Sequence, residues 1–264
     1  MNTQFAEVFK SVGLIGVVAR PVIVVMILLG LRRALERVNV SARTRVAAWW
    51  WTAIFLVGWL GTVWLLAVRG AFGSLSSGPA IVQVAFVPIV IAVLIGMALF
   101  AVTRSAVLTA ALDAAPLSWL VVIQVYRVLG LVFLLAWSRG FLPGYFALPA
   151  SIGDALVGVL AIPLALALRS NSAFVRRLAF GWNILGIVDL VNAVVMGVTS
   201  AVIQLQAVSP SGSATVSSPL LLYPLVLVPT FGVPLALILH SLSIRQLHRR
   251  GASLAVSILR ERTA

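Results

Sequence analysis

Two arginines and two aspartates stand inside long apolar stretches of this sequence: Arg20, Arg127, Asp154 and Asp189. A charged side chain in the hydrocarbon layer of a membrane costs at least about 2.5 kcal/mol on insertion scales. Such residues persist there when they pair with one another or serve a ligand, an ion or a proton. An arginine can hold an anionic head or set the charge state of a carboxylate beside it. An aspartate can carry a proton or act as a general acid.

Four charges separately in contact with lipid would be far more costly than four that neutralise each other. Their depths permit pairing. At helical rise, Arg20 lies about 12 Å into its stretch, Asp154 about 10 Å, Arg127 about 15 Å and Asp189 about 16 Å. The expectation is therefore that the helices carrying them bring all four together in the interior. Helix spacing supports this. Gly16, Gly130, Gly158 and Gly186 lie three or four residues from Arg20, Arg127, Asp154 and Asp189 respectively, and small residues mark faces where helices approach closely. Gln124, three before Arg127, and Asn192, three after Asp189, share those faces. Asn183 falls on a different face.

The elements that must position these groups follow from composition. Of 264 residues, 62% are hydrophobic and 9% charged, too few charges to clothe a soluble surface of this size. Seven stretches are long enough to cross a bilayer: 12–31, 46–68, 80–103, 117–137, 147–168, 178–200 and 219–240. The expected fold is all-α, a single polytopic bundle of seven transmembrane helices over 1–240, with a basic tail at 241–264. Basic residues orient it. Arg32, Arg33, Arg37, Arg43, Arg45, Arg104, Arg169, Arg176, Arg177, Arg245, Arg249, Arg250, Arg260 and Arg262 fall on one side, against Lys10, Arg69 and Arg139 on the other. The positive-inside rule then predicts the N-terminus out and the C-terminus in. Trp49, Trp50 and Trp51 sit at the inner end of the second span, where an aromatic belt belongs. Asp113 followed by Pro116 reads as a helix start, and the uncharged, Ser-rich stretch 206–218 as an outer loop. The first apolar stretch contains Arg20-Pro21 and leads into Arg32-Arg33, so it reads as a retained span and not as a cleaved signal peptide.

The seventh stretch is interrupted. Pro224, Pro229 and Pro234 recur every five residues, with Thr230 and Gly232 between the last two. Each proline deletes a backbone hydrogen bond and crowds the carbonyl four residues back, so the helix should kink near Pro229. Freed carbonyls there either pack or line a cavity, as in transporters with broken helices.

Several chemistries are excluded. Without cysteine there is no disulfide, thiolate metal site or cysteine nucleophile. The single lysine, Lys10, cannot serve a Schiff base in a late span. A bis-histidine haem has one histidine near the bilayer, His240, which reads as an interfacial residue at the inner edge of the last span. No phosphate-loop, dinucleotide or zinc-protease pattern occurs, so neither a cofactor nor a metal is expected. The net charge of +13 is distributed between apolar runs, which points to anionic lipids at the cytoplasmic face and not to nucleic acid. The stretch SLAVSILRER in the tail has the pattern of an amphipathic helix on that leaflet.

Three function classes follow. The first is a protein that binds or moves a small molecule, ion or proton at Arg127, Asp154 and Asp189. The second is an embedded enzyme on a lipid or prenyl substrate, with an aspartate as general acid and Trp59, Trp64 and Trp182 lining its cavity. The third is an accessory subunit whose charges only fix helix register. Arginine over lysine and the Ala/Val richness suggest a bacterial cytoplasmic membrane.

Overall fold

The computed structural model describes the backbone of residues 3–72, 80–170, 172–208 and 219–263. It describes the side chains of residues 15–72 (save 17), 85–170, 172–203 and 219–249. Among these residues all regular structure is helical. The helices are α1 (Thr3–Glu36), α2 (Ala42–Val68), α3 (Ala80–Arg104), the short α4 (Ala106–Ala114), α5 (Leu117–Ser138), α6 (Gly144–Ala167), α7 (Ala173–Val208) and α8 (Val233–Thr263).

Six stretches among the described residues are long and apolar enough to cross a membrane: Ala42–Val68, Ala85–Arg104, Leu117–Ser138, Gly144–Ser170, Ala173–Ile203 and Val228–Arg249. The first expected span, 12–31, lies within α1, where the side chains of residues 3–14 are outside the described set. The outer faces fit a lipid environment. On α3, Ile89, Val93, Met97 and Phe100 recur at helical spacing and are each more than half exposed; Ile184, Val188, Val191 and Val195 recur likewise on α7 and are all exposed. Apolar surface of this extent is not left in water by a soluble monomer.

Local chemistry sets the ends. The hydroxyl of Ser41 accepts the amide of Thr44 at 3.1 Å and starts α2. After α5, Gly140 at φ 72° lets the chain reverse, and its N–H donates to the Trp137 carbonyl at 2.9 Å.

One expectation is corrected by α4. Asp113 does not start a helix; it lies near the end of α4, and the N-cap of that helix is Ser105, whose hydroxyl accepts from the Leu108 amide at 3.2 Å. The Asp113 carboxylate instead receives Arg245, at 3.3 Å, and Arg249, both from α8. Beside it, the buried Gln246 amide donates to the carbonyls of Leu112, at 2.8 Å, and Ala115. Arg37 reaches the Ala114 carbonyl at 3.3 Å, so the end of α1, α4 and α8 meet at one end of the bundle. There the ring N–H of Trp49 donates to the Leu28 carbonyl at 3.0 Å, while Trp50 and Trp51 face outward.

The last span is also displaced from expectation. Residues 219–227 are not a spanning helix but a short 3-10 turn and a run of turns. The helix begins with a π-turn at Val228–Gly232 and continues as α8. Pro219, Pro224 and Pro229 have no N–H to give, so a regular ladder cannot form across this segment. The irregular stretch is held inside protein: Leu225, Val226 and Leu227 are buried. The Ser-rich loop expected at 206–218 lies outside the described residues from 209, and 206–208 continue α7. The side chains of SLAVSILRER also lie outside them, although the backbone of α8 runs on to Thr263.

Three carbonyls in and after the break accept from side chains of other helices. Pro234 cannot donate to the Thr230 carbonyl; the indole N–H of Trp59 on α2 takes its place at 3.1 Å. The Tyr126 hydroxyl donates to the Gly232 carbonyl at 2.7 Å, and Gln124 to the Ala236 carbonyl at 3.1 Å. Replacing Trp59 by Phe keeps an aromatic ring against Phe231 but removes that donor. The variant should lose about 1–3 kcal/mol of stability, measured by unfolding in detergent, because a buried carbonyl is left without its partner.

Candidate functional site

Arg127 is 2% exposed and sits in the middle of α5, where Gln124–Leu131 tightens from α to 3-10 geometry. Three residues per turn place Gln124, Arg127 and Gly130 on one inward face, and all three are buried. The guanidinium then faces three helices at once. Its Nε donates to Asp154 Oδ1 on α6 at 2.7 Å, and its Nη2 pairs with Asp189 Oδ2 on α7. Its Nη1 donates to the Gly186 carbonyl at 3.3 Å and lies 3.2 Å from His240 Nε2 on α8.

These bonds fix the histidine. A guanidinium has donors only, so His240 Nε2 must be the acceptor and the proton resides on Nδ1. Nδ1 then donates to Asn183 Oδ1 at 2.9 Å. The Asn183 amide passes the chain on, to Ser243 Oγ at 3.0 Å and the Ala179 carbonyl at 2.7 Å. The Trp182 ring packs on the imidazole at 5.0 Å between centroids, and its N–H donates to the Val157 carbonyl at 3.2 Å.

Helices come this close because glycine leaves room. A Cβ at Gly130 would stand 2.2 Å from Asp154 Oδ2, one at Gly153 1.7 Å from Asp189 Oδ1, and one at Gly186 2.3 Å from His240 Nε2. At Gly158 it would meet the Val128 backbone at 2.8 Å.

The four charges thus divide. Arg127, Asp154 and Asp189 meet directly. Arg20 lines the same small cavity as Arg127, Asp154 and Tyr126, but among the described residues it makes no ion pair; its guanidinium folds back over Gly16. Gln124 does not reach Arg127, since it turns to α8. Asn192 is outside the centre, with its amide 3.8 Å from the Met196 sulfur on its own helix. Of the residues where a kink is expected, Pro229, Thr230 and Gly232 fall in the π-turn and Pro234 is the second residue of α8; Val228 of the turn lines both cavities.

His240 is the largest correction. Because the last helix starts at Val228 and not at 219, His240 lies twelve residues, about 18 Å, along it and is fully buried. Asn183, Ser243 and Gly153 were likewise not foreseen as part of the site. The signal that could have found them is the three-residue spacing of His240, Ser243 and Gln246, a buried polar stripe along one face of α8.

No group of three or more metal-ligating side chains gathers among the described residues. Asp154, Asp189 and His240 converge on a guanidinium, which fills the place a cation would take. Asp154 also closes one end of an apolar pocket walled by Val87 and Pro88 of α3, Phe133 of α5, Phe146 of α6 and Leu190 of α7. Trp59 and Trp182 are engaged elsewhere, so the aromatic lining expected from them is supplied by the two phenylalanines.

Residues 81–248 match the model of a domain of unknown function, DUF8737. The chain belongs to that family. The matched DUF8737 region holds Arg127, Asp154, Asp189 and His240 together with both irregular turns, while Arg20 and Trp59 precede it. No curated protein and no solved structure matches the chain.

The glycine contacts give a test. Gly153→Ala should destabilise the protein by about 2 kcal/mol or more, since the added methyl strikes a carboxylate pinned by Arg127. Gly181→Ala, with nothing within 4 Å of its Cβ, should be neutral or gain up to about 1 kcal/mol of helix propensity. Equal melting temperatures for the two variants would refute the packing described here.

Proposed function

We propose that this is a multi-pass protein of seven spans in the cytoplasmic membrane of a bacterium, N-terminus out and C-terminus in. Its centre at Arg127, Asp154 and Asp189 binds or moves a small molecule, ion or proton. The observation that carries this reading is the double duty of Asp154: one oxygen is held by Arg127, and the same residue is the one charged member of the lining of an apolar pocket. Residues that only fixed helix register would need no such pocket. Arg20, across the small cavity, belongs to the same site, as the cation that balances the second carboxylate. The DUF8737 match covers the whole Arg127 centre and is compatible with this assignment. Anionic lipids contact the arginine-rich cytoplasmic end.

A second reading has its own support. Arg127 directs N–H groups at four protein acceptors, which is also what a purely architectural pin between α5, α6, α7 and α8 would do. The enzyme reading retains Asp154 as the acid beside an apolar pocket.

Two experiments test the proposal. Small molecules and lipids that co-purify with gently extracted protein should be identified by mass spectrometry for the wild type and for Asp154→Asn and Arg127→Lys. A species retained by the wild type and lost from Asp154→Asn, at equal folded yield, supports the binding site. Identical profiles for all three leave the cluster architectural. For orientation, the chain has no cysteine, so each one introduced is unique. Ser138→Cys should react with an impermeant thiol reagent on intact cells, and Ser172→Cys only after permeabilisation; the reverse pattern inverts the topology.

A further inference from the structure

The charge balance around Asp154 narrows the ligand, on the reading that its pocket is a binding site. The titratable groups lining the two adjoining cavities are Arg20, Arg127, Asp154 and Tyr126, and behind them Asp189 and His240 bond to Arg127. Two arginines stand against two aspartates. His240 is neutral, because Nε2 accepts from Arg127 while Nδ1 holds the proton, and the Tyr126 hydroxyl donates to the Gly232 carbonyl. The set sums to zero without any ligand. A carboxylate or phosphate head would leave one negative charge uncompensated in an apolar interior, and an ammonium head one positive charge; both are strongly disfavoured there.

A neutral donor changes nothing in this balance. Among the residues lining the larger pocket Asp154 is the one charged group, and its Oδ1 is committed to Arg127. Acceptor capacity on the carboxylate remains, since an ionised carboxyl has about four lone-pair sites. The other walls, Phe133, Phe146, Leu190 and Val194 among them, offer only apolar surface.

We infer that this pocket binds an uncharged apolar molecule with a hydroxyl head, an aliphatic or isoprenoid alcohol, whose O–H donates to Asp154. The chain of the alcohol lies between α3, α6 and α7, and the charged centre behind Asp154 stays intact.

The test uses the full-length protein in detergent and a photoreactive diazirine analogue of 1-dodecanol. Three competitors share one alkyl length: 1-dodecanol, dodecylammonium and dodecanoate. The label should map to peptides containing Phe133, Phe146 or Leu190–Val198, and 1-dodecanol should displace it about tenfold or more better than either ion. Substituting Asp154 would disturb Arg127, so the decisive variant is Gly197→Leu. A Cβ there meets Phe146 at 3.7 Å, an ordinary contact, so position 197 accepts a side chain, and a leucine there takes up pocket space away from the charges. It should unfold at the wild-type temperature and lose the labelling about tenfold. Better displacement by dodecylammonium or dodecanoate, with labelling still lost in Gly197→Leu, overturns the neutral-ligand class and leaves the binding site standing. Labelling that maps elsewhere, or that survives Gly197→Leu, overturns the pocket as a site altogether.

Discussion

A guanidinium is planar and carries five N–H groups around its rim, so it can serve several partners only if they stand near one plane. Arg127 meets that condition with groups from three other helices: Asp154 on α6, Asp189 and the Gly186 carbonyl on α7, and His240 on α8. Burial makes the condition strict. With water excluded, a missing partner would leave a charge or a polar atom alone, at a cost far larger than that of a surface pair. The positions of α6, α7 and α8 around α5 are therefore set largely by one side chain, and apolar packing fills in around it.

Two departures from regular helix make this possible, and they support each other. The 3-10 stretch Gln124–Leu131 turns Gln124, Arg127 and Gly130 inward together. The π-turn Val228–Gly232 lies beside it and carries the Thr230 carbonyl, which Pro234 cannot serve. Tyr126 and Gln124, from the first irregular segment, donate to Gly232 and Ala236 in and after the second, while Trp59 supplies Thr230. Irregular backbone within an apolar bundle is stable when its polar groups find partners in protein, and here the partners come from the neighbouring irregular segment. Glycine completes the arrangement. At Gly130, Gly153 and Gly186 the missing Cβ is the space occupied by Asp154, Asp189 and His240.

The consequence for function is a division of labour within one carboxylate pair. Asp189 and His240 are bound into the network between helices. Asp154 is bound to Arg127 through Oδ1, and the residue also lines a pocket. Arg20, without an ion pair among the described residues, lines the small cavity that separates α1 from that network. A ligand reaching Asp154 would act on the hinge of the network without entering it.

Much of this was legible in the sequence. Apolar length fixes the helices, because hydrophobic stretches of about 20 residues have few alternatives to helix. The energetic penalty on buried charge singles out Arg127, Asp154 and Asp189 and requires that they meet, whatever the packing. The proline spacing places a break near Pro229. What tertiary structure decided is everything that depends on rotation and start point. The last helix begins at Val228, because Pro219 and Pro224 deny the preceding stretch two of its donors, and this carries His240 from the expected rim to the centre. Gln124 shares the inward face of Arg127 yet bonds the Ala236 carbonyl instead, and the Asn192 amide lies against Met196 of its own helix. Arg20 has the right depth, yet lies across a cavity from the carboxylates. Sequence fixes which groups cannot stay alone; the packing of helices decides which of them touch, because hydrogen bonds are made over about 3 Å and a residue's depth says nothing of its direction.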